Sequence, residues 1–244
     1  MIVDVPKADE HGWVPTLNHM GYMSSSFDPY TQKFLDFCEK NPGVTVFEGG
    51  AAYGQVTLAA LQHGAQVVAN DREEQHLTLL QSRVPAAFRS ALTLCPGALP
   101  EMVSFPSCRF DAILCGRMLH FLKGPQIQQC FKQFFSWLKP QGKLFVIAET
   151  PYLKCYSDFI TVYEARKKNK EPWPGLIEDT TPFSHIRYNN IPGFLNFLDE
   201  TLLTTLSEEA GFKVERVSTI DRHDFPEELR LDGRESVGLI ALKP

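Results

Sequence analysis

The 244-residue chain lacks an excess of positive charge, a long apolar run, paired cysteines and any repeat, and each absence removes a class of function. Lys and Arg number 24 against 29 Asp and Glu, a net charge of −5. A duplex nucleic-acid binder gathers cations to neutralise phosphates, so that role is disfavoured. The one basic run, Arg166-Lys167-Lys168-Asn169-Lys170, reads as the last turn of a helix, where cations meet the dipole. Six cysteines (38, 95, 108, 115, 130 and 155) form no C-x-x-C pair and no metal-ligand spacing with the seven histidines. Scattered free thiols of this kind suit a reducing compartment, and no metal is expected. No apolar run approaches ~18 residues, and "MIVDVPKADEHGW" has no basic stretch followed by an apolar one. Neither membrane span nor secretion signal is therefore expected, and the cytoplasm is the expected setting.

What is present is an alternation of periods. A composition 43% apolar and 22% charged suits one soluble domain. "FDPYTQKFLDFCEK" is helical, with Asp28 as N-cap and Pro29 in the first turn. Then come a strand at 44–48, a helix at 54–64, a strand at 65–71, a helix near 73–83 and strands at 91–95 and 109–116. A helix around 125–138 and a strand at 142–149 follow. Strands alternating with helices predict a mainly parallel sheet covered on both faces. After Pro151 the rhythm breaks into a helix, "YSDFITVYEARKK", and a Pro- and aromatic-rich stretch, "EPWPGLIEDTTPFSHIRYNNIPGF". A helix at 196–210 stopped by Gly211 then precedes strands at 212–220 and 235–243. With no helix between them, those two strands are expected to pair antiparallel at the sheet edge.

The chemistry concentrates in "VTVFEGGAAYGQVTLAAL", an apolar strand ending in an acid and turning through glycines into a helix. Such a turn presents backbone N–H groups to a ligand. It contains no Lys, which removes a P-loop. A dinucleotide turn, G-x-G-x-x-G, would want glycine where Ala51 stands, and Glu48 would repel a pyrophosphate. That acid suits a ligand carrying a cation, such as an amino group or a sulfonium. Asp71, ending the next strand, is placed to accept from ribose hydroxyls.

These residues resemble the class I S-adenosylmethionine-dependent methyltransferases over nearly the whole chain. Glu48-Gly49-Gly50-Ala51-Ala52-Tyr53-Gly54 is similar to the E/D-x-G-x-G-x-G motif, with Ala52 in place of the middle glycine. Asp71 matches the acid after the second strand, "FDAILCGRMLHFL" the fourth strand and its loop, "LKPQGKLFVIAE" the fifth-strand segment, and "LSEEAGFKVERV" the closing region. An acid after the third strand is missing, since "LCPGALPEM" places Gly97 or Ala98 there. The resemblance implies a Rossmann-like, doubly wound, seven-stranded, mostly parallel α/β sheet with an antiparallel last strand and an insertion after the fifth. It implies S-adenosyl-L-methionine as cofactor, with contacts at Glu48, Gly49, Gly50, Ala52, Gly54, Asp71, Arg72, Gly97, Ala98, Leu99, Cys115 and Gly116. The single domain is expected to divide into an N-terminal helical cap (1–43), cofactor core (44–150), substrate lid (151–195) and C-terminal helix and hairpin (196–244).

Methyl transfer is an in-line displacement accelerated largely by positioning. His120 is the candidate base for a protonated acceptor, or else a structural histidine. Arg117 either clamps an acidic acceptor or pairs with a surface acid. Tyr22, Tyr152 and Tyr188 are candidate acceptor contacts within aromatic segments that suit an apolar or planar small molecule, although most of those rings would serve the insertion's own core. The expected reaction is methylation of a small-molecule O, N or C acceptor. The alternatives are a cofactor-binding or inactive scaffold of the same fold, motivated by Ala52 and the missing acid, and a protein-side-chain methyltransferase.

Overall fold

Strands buried on both faces carry apolar residues at nearly every position, and the central strands here do so with alternate side chains serving opposite layers. The computed structural model describes residues 5–9, 12–24, 26–183 and 193–244. Its main sheet consists of β3 (Thr45–Gly49), β4 (Gln66–Asp71), β5 (Leu92–Pro96), β6 (Phe110–Gly116), β7 (Leu138–Glu149), β10 (Lys213–Ile220) and β11 (Ser236–Leu242). Two short antiparallel pairs lie outside it: β1 (Trp13–Pro15) with β2 (Tyr22–Ser24), and β8 (Leu176–Ile177) with β9 (Leu195–Asn196). The helices are α1 (Pro29–Lys40), α2 (Gln55–Gln62), α3 (Glu74–Arg83), α4 (Gly124–Trp137), α5 (Ser157–Lys168) and α6 (Glu200–Ala210).

The sheet order is β10-β11-β7-β6-β3-β4-β5. The inner pairs are parallel, and only β11 runs against its neighbours β7 and β10. The expected fold class and closing hairpin are thus present. Winding runs from β3 outward to β5, then returns to β6 on the other side of β3. The carboxyl ends of β3 and β6 therefore border the crevice where such sheets place ligands.

One layer packs Phe131, Phe134 and Trp137 of α4 and Leu203 and Leu206 of α6 against Phe47, Leu144 and Val146. The opposite layer packs Phe34 and Leu35 of α1, Leu61 of α2 and Leu77 and Leu80 of α3 against Val46, Phe145 and Ile147. Adjacent residues 46 and 47, and 144 to 147, alternate between layers as period two requires. Each fully buried ring or branched side chain contributes about 1.5–3 kcal/mol relative to exposure.

Three local differences from the sequence expectation have plain causes. The predicted helix at 196–210 begins at Glu200 because Asp199 Oδ1 accepts from the Leu202 N–H at 2.8 Å, and Leu195–Asn196 are drawn into pairing with β8. The N-terminal region is a β-hairpin followed by α1, which lies against the sheet, so it is only partly helical. The basic run at the end of α5 is not wholly solvated: Lys167 Nζ meets Asp199 at 2.5 Å and Arg166 donates to the Leu176 carbonyl at 2.6 Å. Tyr152, Tyr156, Phe159 and Tyr163 of the insertion form a third core with Trp13 of β1 and Phe225. Among the described residues no helix is long and apolar enough to cross a membrane, no disulfide forms, and no cluster of His, Cys, Asp and Glu is arranged to hold a metal.

Candidate functional site

The turn after β3 is held open by three backbone features. Gly50 and Gly54 take φ of 78° and 76°, and a Cβ on Gly54 would stand 1.9 Å from a Leu80 methyl, so α2 begins against α3 only with glycine there. The Gly50 and Ala51 N–H groups donate to the Asn70 carbonyl at 3.0 and 2.8 Å, tying the turn to β4. Ala52 replaces the expected glycine and adopts its left-handed conformation, φ 44°. That conformation goes with donation from the Ala52 N–H to Asp71 Oδ2 at 2.8 Å, so the substitution keeps the turn rather than abolishing it.

Glu48 ends the apolar part of β3 and is 6% exposed. Thr57, in the first turns of α2, donates its hydroxyl to the carboxylate. Burial raises the Glu48 pKa to about 7, with Thr57 opposing the rise and Asp71 adding to it. A carboxyl held so far above its usual range is poised for a cationic ligand. Asp71 is braced by three donors: the Ala52 N–H, the Glu73 N–H at 2.9 Å and His76 Nδ1 at 3.1 Å. His76 Nε2 accepts from the Leu17 N–H at 3.2 Å, so the imidazole links Asp71 to the N-terminal hairpin. Asn70 Nδ2 donates to the Cys95 and Gly97 carbonyls at 2.7 and 2.9 Å, fixing the turn after β5.

These groups border a cavity of about 480 Å³. From the predicted cofactor set, Glu48, Gly50, Ala52, Asp71, Arg72, Gly97, Ala98, Leu99 and Gly116 line it. Gly49, Gly54 and Cys115 do not line it; Gly54 packs on Leu80, and the Cys115 thiol is fully buried beside Met118. Tyr22, Arg117 and His120 also border this cavity and are shared with a smaller one of about 100 Å³. Tyr152 borders neither of the two: its hydroxyl donates to Glu164 and its ring packs on Tyr163. Tyr188 lies outside the described residues.

Arg117 pairs with an acid, but a buried rather than a surface one. Its Nε donates to Glu149 Oε1 at 2.6 Å, and its guanidinium lies over the rings of Trp13 and Phe225 at 4.8 and 5.2 Å. Burial alone would push Glu149 up, yet the arginines at 117 and 222 hold it below the usual carboxylate range. His120, 4% exposed, is driven by burial down to about 4 and is neutral at pH 7. The Glu149 N–H approaches its Nδ1 at 3.4 Å, which leaves the ring proton on Nε2.

Sequence reading did not single out Thr57, His76, Trp13, Phe225 or Glu149. Only Glu149 carried a usable signal, since like Glu48 it is an acid terminating an apolar strand. The others are set by contacts across the fold.

Residues 46–142 match the family model of a methyltransferase domain. No curated protein matches the sequence. Among solved structures, an S-adenosylmethionine-dependent methyltransferase from Mesorhizobium loti superposes with a TM-score of 0.64 at 16% identity, covering 87% of this chain and 97% of the other. One from Aquifex aeolicus gives 0.56 at 16% identity, covering 88% and 89%. Magnesium protoporphyrin IX methyltransferase from Synechocystis, solved with bound S-adenosylhomocysteine, gives 0.57 at 14% identity, covering 88% and 81%. At such identities the likeness is one of fold. The matched segment runs from β3 into the start of β7 and carries the acid-and-glycine turn, so this part of the chain is similar to a methyltransferase domain and the chain shares the fold of S-adenosylmethionine-dependent methyltransferases.

Proposed function

We propose that the protein transfers a methyl group from S-adenosyl-L-methionine to a small-molecule acceptor. The observation that carries this reading is Glu48, a carboxyl in the cofactor-side cavity whose proton affinity is raised by burial, with no neighbouring cation to offset it. A ligand with an ammonium and a sulfonium supplies the missing cation, whereas a pyrophosphate would add a second anion to Glu48 and Asp71. When bound, S-adenosylmethionine supplies an electrophilic methyl carbon on sulfur. Glu48 would hold the cationic end, Asp71 would accept from the ribose hydroxyls, and the Gly97–Leu99 turn would border the base.

The second cavity, reached past Tyr22, Arg117 and His120, is the acceptor side in this reading. The insertion and the N-terminal hairpin enclose it, in keeping with inserted segments that cover sites. A small molecule is favoured over a protein side chain because the cavity is narrow and walled by rings from the hairpin, the insertion and the loops that carry Phe121, Phe197 and Phe225. A pure scaffold role is disfavoured because Ala52 preserves the turn.

Calorimetric titration with S-adenosylhomocysteine tests the cofactor reading. Saturable binding is expected, weakened at least tenfold in Asp71→Ala, with no binding of NAD or ATP. Tighter binding of NAD than of S-adenosylhomocysteine would overturn it.

A further inference from the structure

The smaller cavity has a wall of rings and aliphatic groups from segments far apart in the chain: Trp13, Tyr22, Phe121, Phe197, Phe225 and Leu229. Trp13 meets Phe225 edge-on at 4.9 Å, and the Trp13 indole N–H donates to the Asp224 carbonyl at 3.1 Å, so the wall is fixed. Such a surface suits a flat, apolar body.

The polar rim is one-sided in its hydrogen-bonding capacity. Both oxygens of Glu149 already accept, one from Arg117 Nε and the other from the Ser236 hydroxyl at 2.6 Å. Asp9 accepts from the Trp13 N–H at 2.8 Å. The unengaged hydrogen-bonding nitrogens on the rim are donors. Arg117 uses only Nε among the described residues, and its two terminal nitrogens make no hydrogen bond there. His120 has Nδ1 turned to the Glu149 amide, which leaves its Nε2–H for the cavities it borders. A hydroxyl or amine acceptor would need a group able to take its proton, and the two rim carboxylates, Glu149 and Asp9, are already engaged by donors of the fold. A carboxylate needs only donors, and an arginine fork matches its two oxygens.

We propose that this aromatic cavity is the acceptor subsite and that it takes a planar, apolar carboxylic acid, methylated on a carboxylate oxygen to give the ester. The proposal rests on the cofactor reading above. The carboxylate oxygen forms the new C–O bond with its own lone pair, and the methyl carbon's bond to sulfur breaks with its electron pair remaining on sulfur. The two opposite charges cancel and no proton moves. His120 in this role is a hydrogen-bond donor that orients the acceptor, not a base.

The test uses benzoate, cinnamate and naphthoate beside the alcohols and amides of the same skeletons. Binding is followed by tryptophan fluorescence in protein saturated with S-adenosylhomocysteine, and transfer by methyl-labelled S-adenosylmethionine. At least one acid is expected to bind saturably and at least tenfold tighter than its neutral analogues, and to yield label released by mild base, as an ester is. Arg117→Lys keeps a cation beside Glu149 but removes the fork; it should weaken the acid at least tenfold and leave the alcohol unchanged. If that variant does not fold, the paired change Arg117→Met with Glu149→Gln removes the ion pair as a unit and should show the same loss.

Neutral analogues that bind as well as the acids, label that resists base, or no saturable acid binding would each overturn the proposal. Failure to bind S-adenosylhomocysteine overturns the cofactor reading and this proposal with it. Binding of S-adenosylhomocysteine without preference for acids overturns this proposal alone.

Discussion

Glu48 and Arg117 show how single side chains carry opposing demands of stability and function. Cys38, Thr57 and Asp71 are what face Glu48, none of them basic, and its pKa lies at about 7 against an ordinary 4.5. A carboxyl raised by folding favours the folded state while protonated. Its contribution is full below pH ~4.5 and is lost as pH rises through about 7, by roughly 1–3 kcal/mol. Urea unfolding of the free protein should therefore show stability falling between pH 5 and pH 8 through this group, and Glu48→Gln should be the more stable protein at pH 8. The same variant should lose cofactor binding. Because a bound cation stabilises the ionised form, the affinity of the wild type for S-adenosylmethionine should improve from pH 6 to pH 8, by up to about tenfold per unit below the Glu48 pKa. A variant no more stable at pH 8, or wild-type affinity flat with pH, would show that Glu48 does not meet the cation. For Arg117 the sign is reversed. Arg117→Ala leaves Glu149 buried without its nearest cation, an expected loss of about 3–5 kcal/mol, read from the same urea curves.

At the level of elements, the glycine turn and the N-terminal hairpin are coupled through α3. Gly54 permits α2 to start against Leu80, which is fully buried and cannot swing aside. Gly54→Ala adds both the left-handed strain and an overlap, and should lower stability by roughly 2–4 kcal/mol. Two of the bonds that hold the hairpin come from this side of the fold: His76 Nε2 accepts from the Leu17 N–H, and the Tyr53 hydroxyl donates to the Pro15 carbonyl at 2.9 Å. His76→Asn retains a donor for Asp71 but cannot reach Leu17. It should raise proteolysis within residues 13–24 and speed S-adenosylhomocysteine release several-fold, as stopped-flow would show; an unchanged release rate would separate the hairpin from cofactor retention. The long elements were legible because local signals agree: Asp28 and Pro29 mark the start of α1, and β-branched runs mark β3 and β4. The hairpin strands and β8–β9 were not, since two or three residues carry no period, and their pairing depends on partners such as Asp224, 211 residues from Trp13.

At the scale of the whole molecule, two fully packed layers and a third, smaller core divide the work. The sheet and its helices fix the acid-and-glycine turn, and the gathering of Glu48, Gly50, Ala52 and Asp71 at one cavity was readable because they sit in one strand-turn-helix unit with Asp71 one strand further on. The proposed acceptor half joins the hairpin, the insertion, the end of β7 and the 221–235 loop, so its chemistry appears only once Arg117 meets Glu149, 32 residues away, and Trp13 meets Phe225. Ligand effects should follow this division. S-adenosylhomocysteine at ~100 times its dissociation constant adds about 2.7 kcal/mol to the folded state. For a chain of this size that corresponds to a rise in Tm of about 5–10 °C. Because the hairpin borders both cavities, hydrogen exchange should slow on cofactor binding at the Leu17 amide as well as at the Ala52 amide. Protection confined to the glycine turn, with Leu17 unchanged, would mean that the hairpin covers the acceptor side alone and that His76 braces Asp71 without transmitting its occupancy.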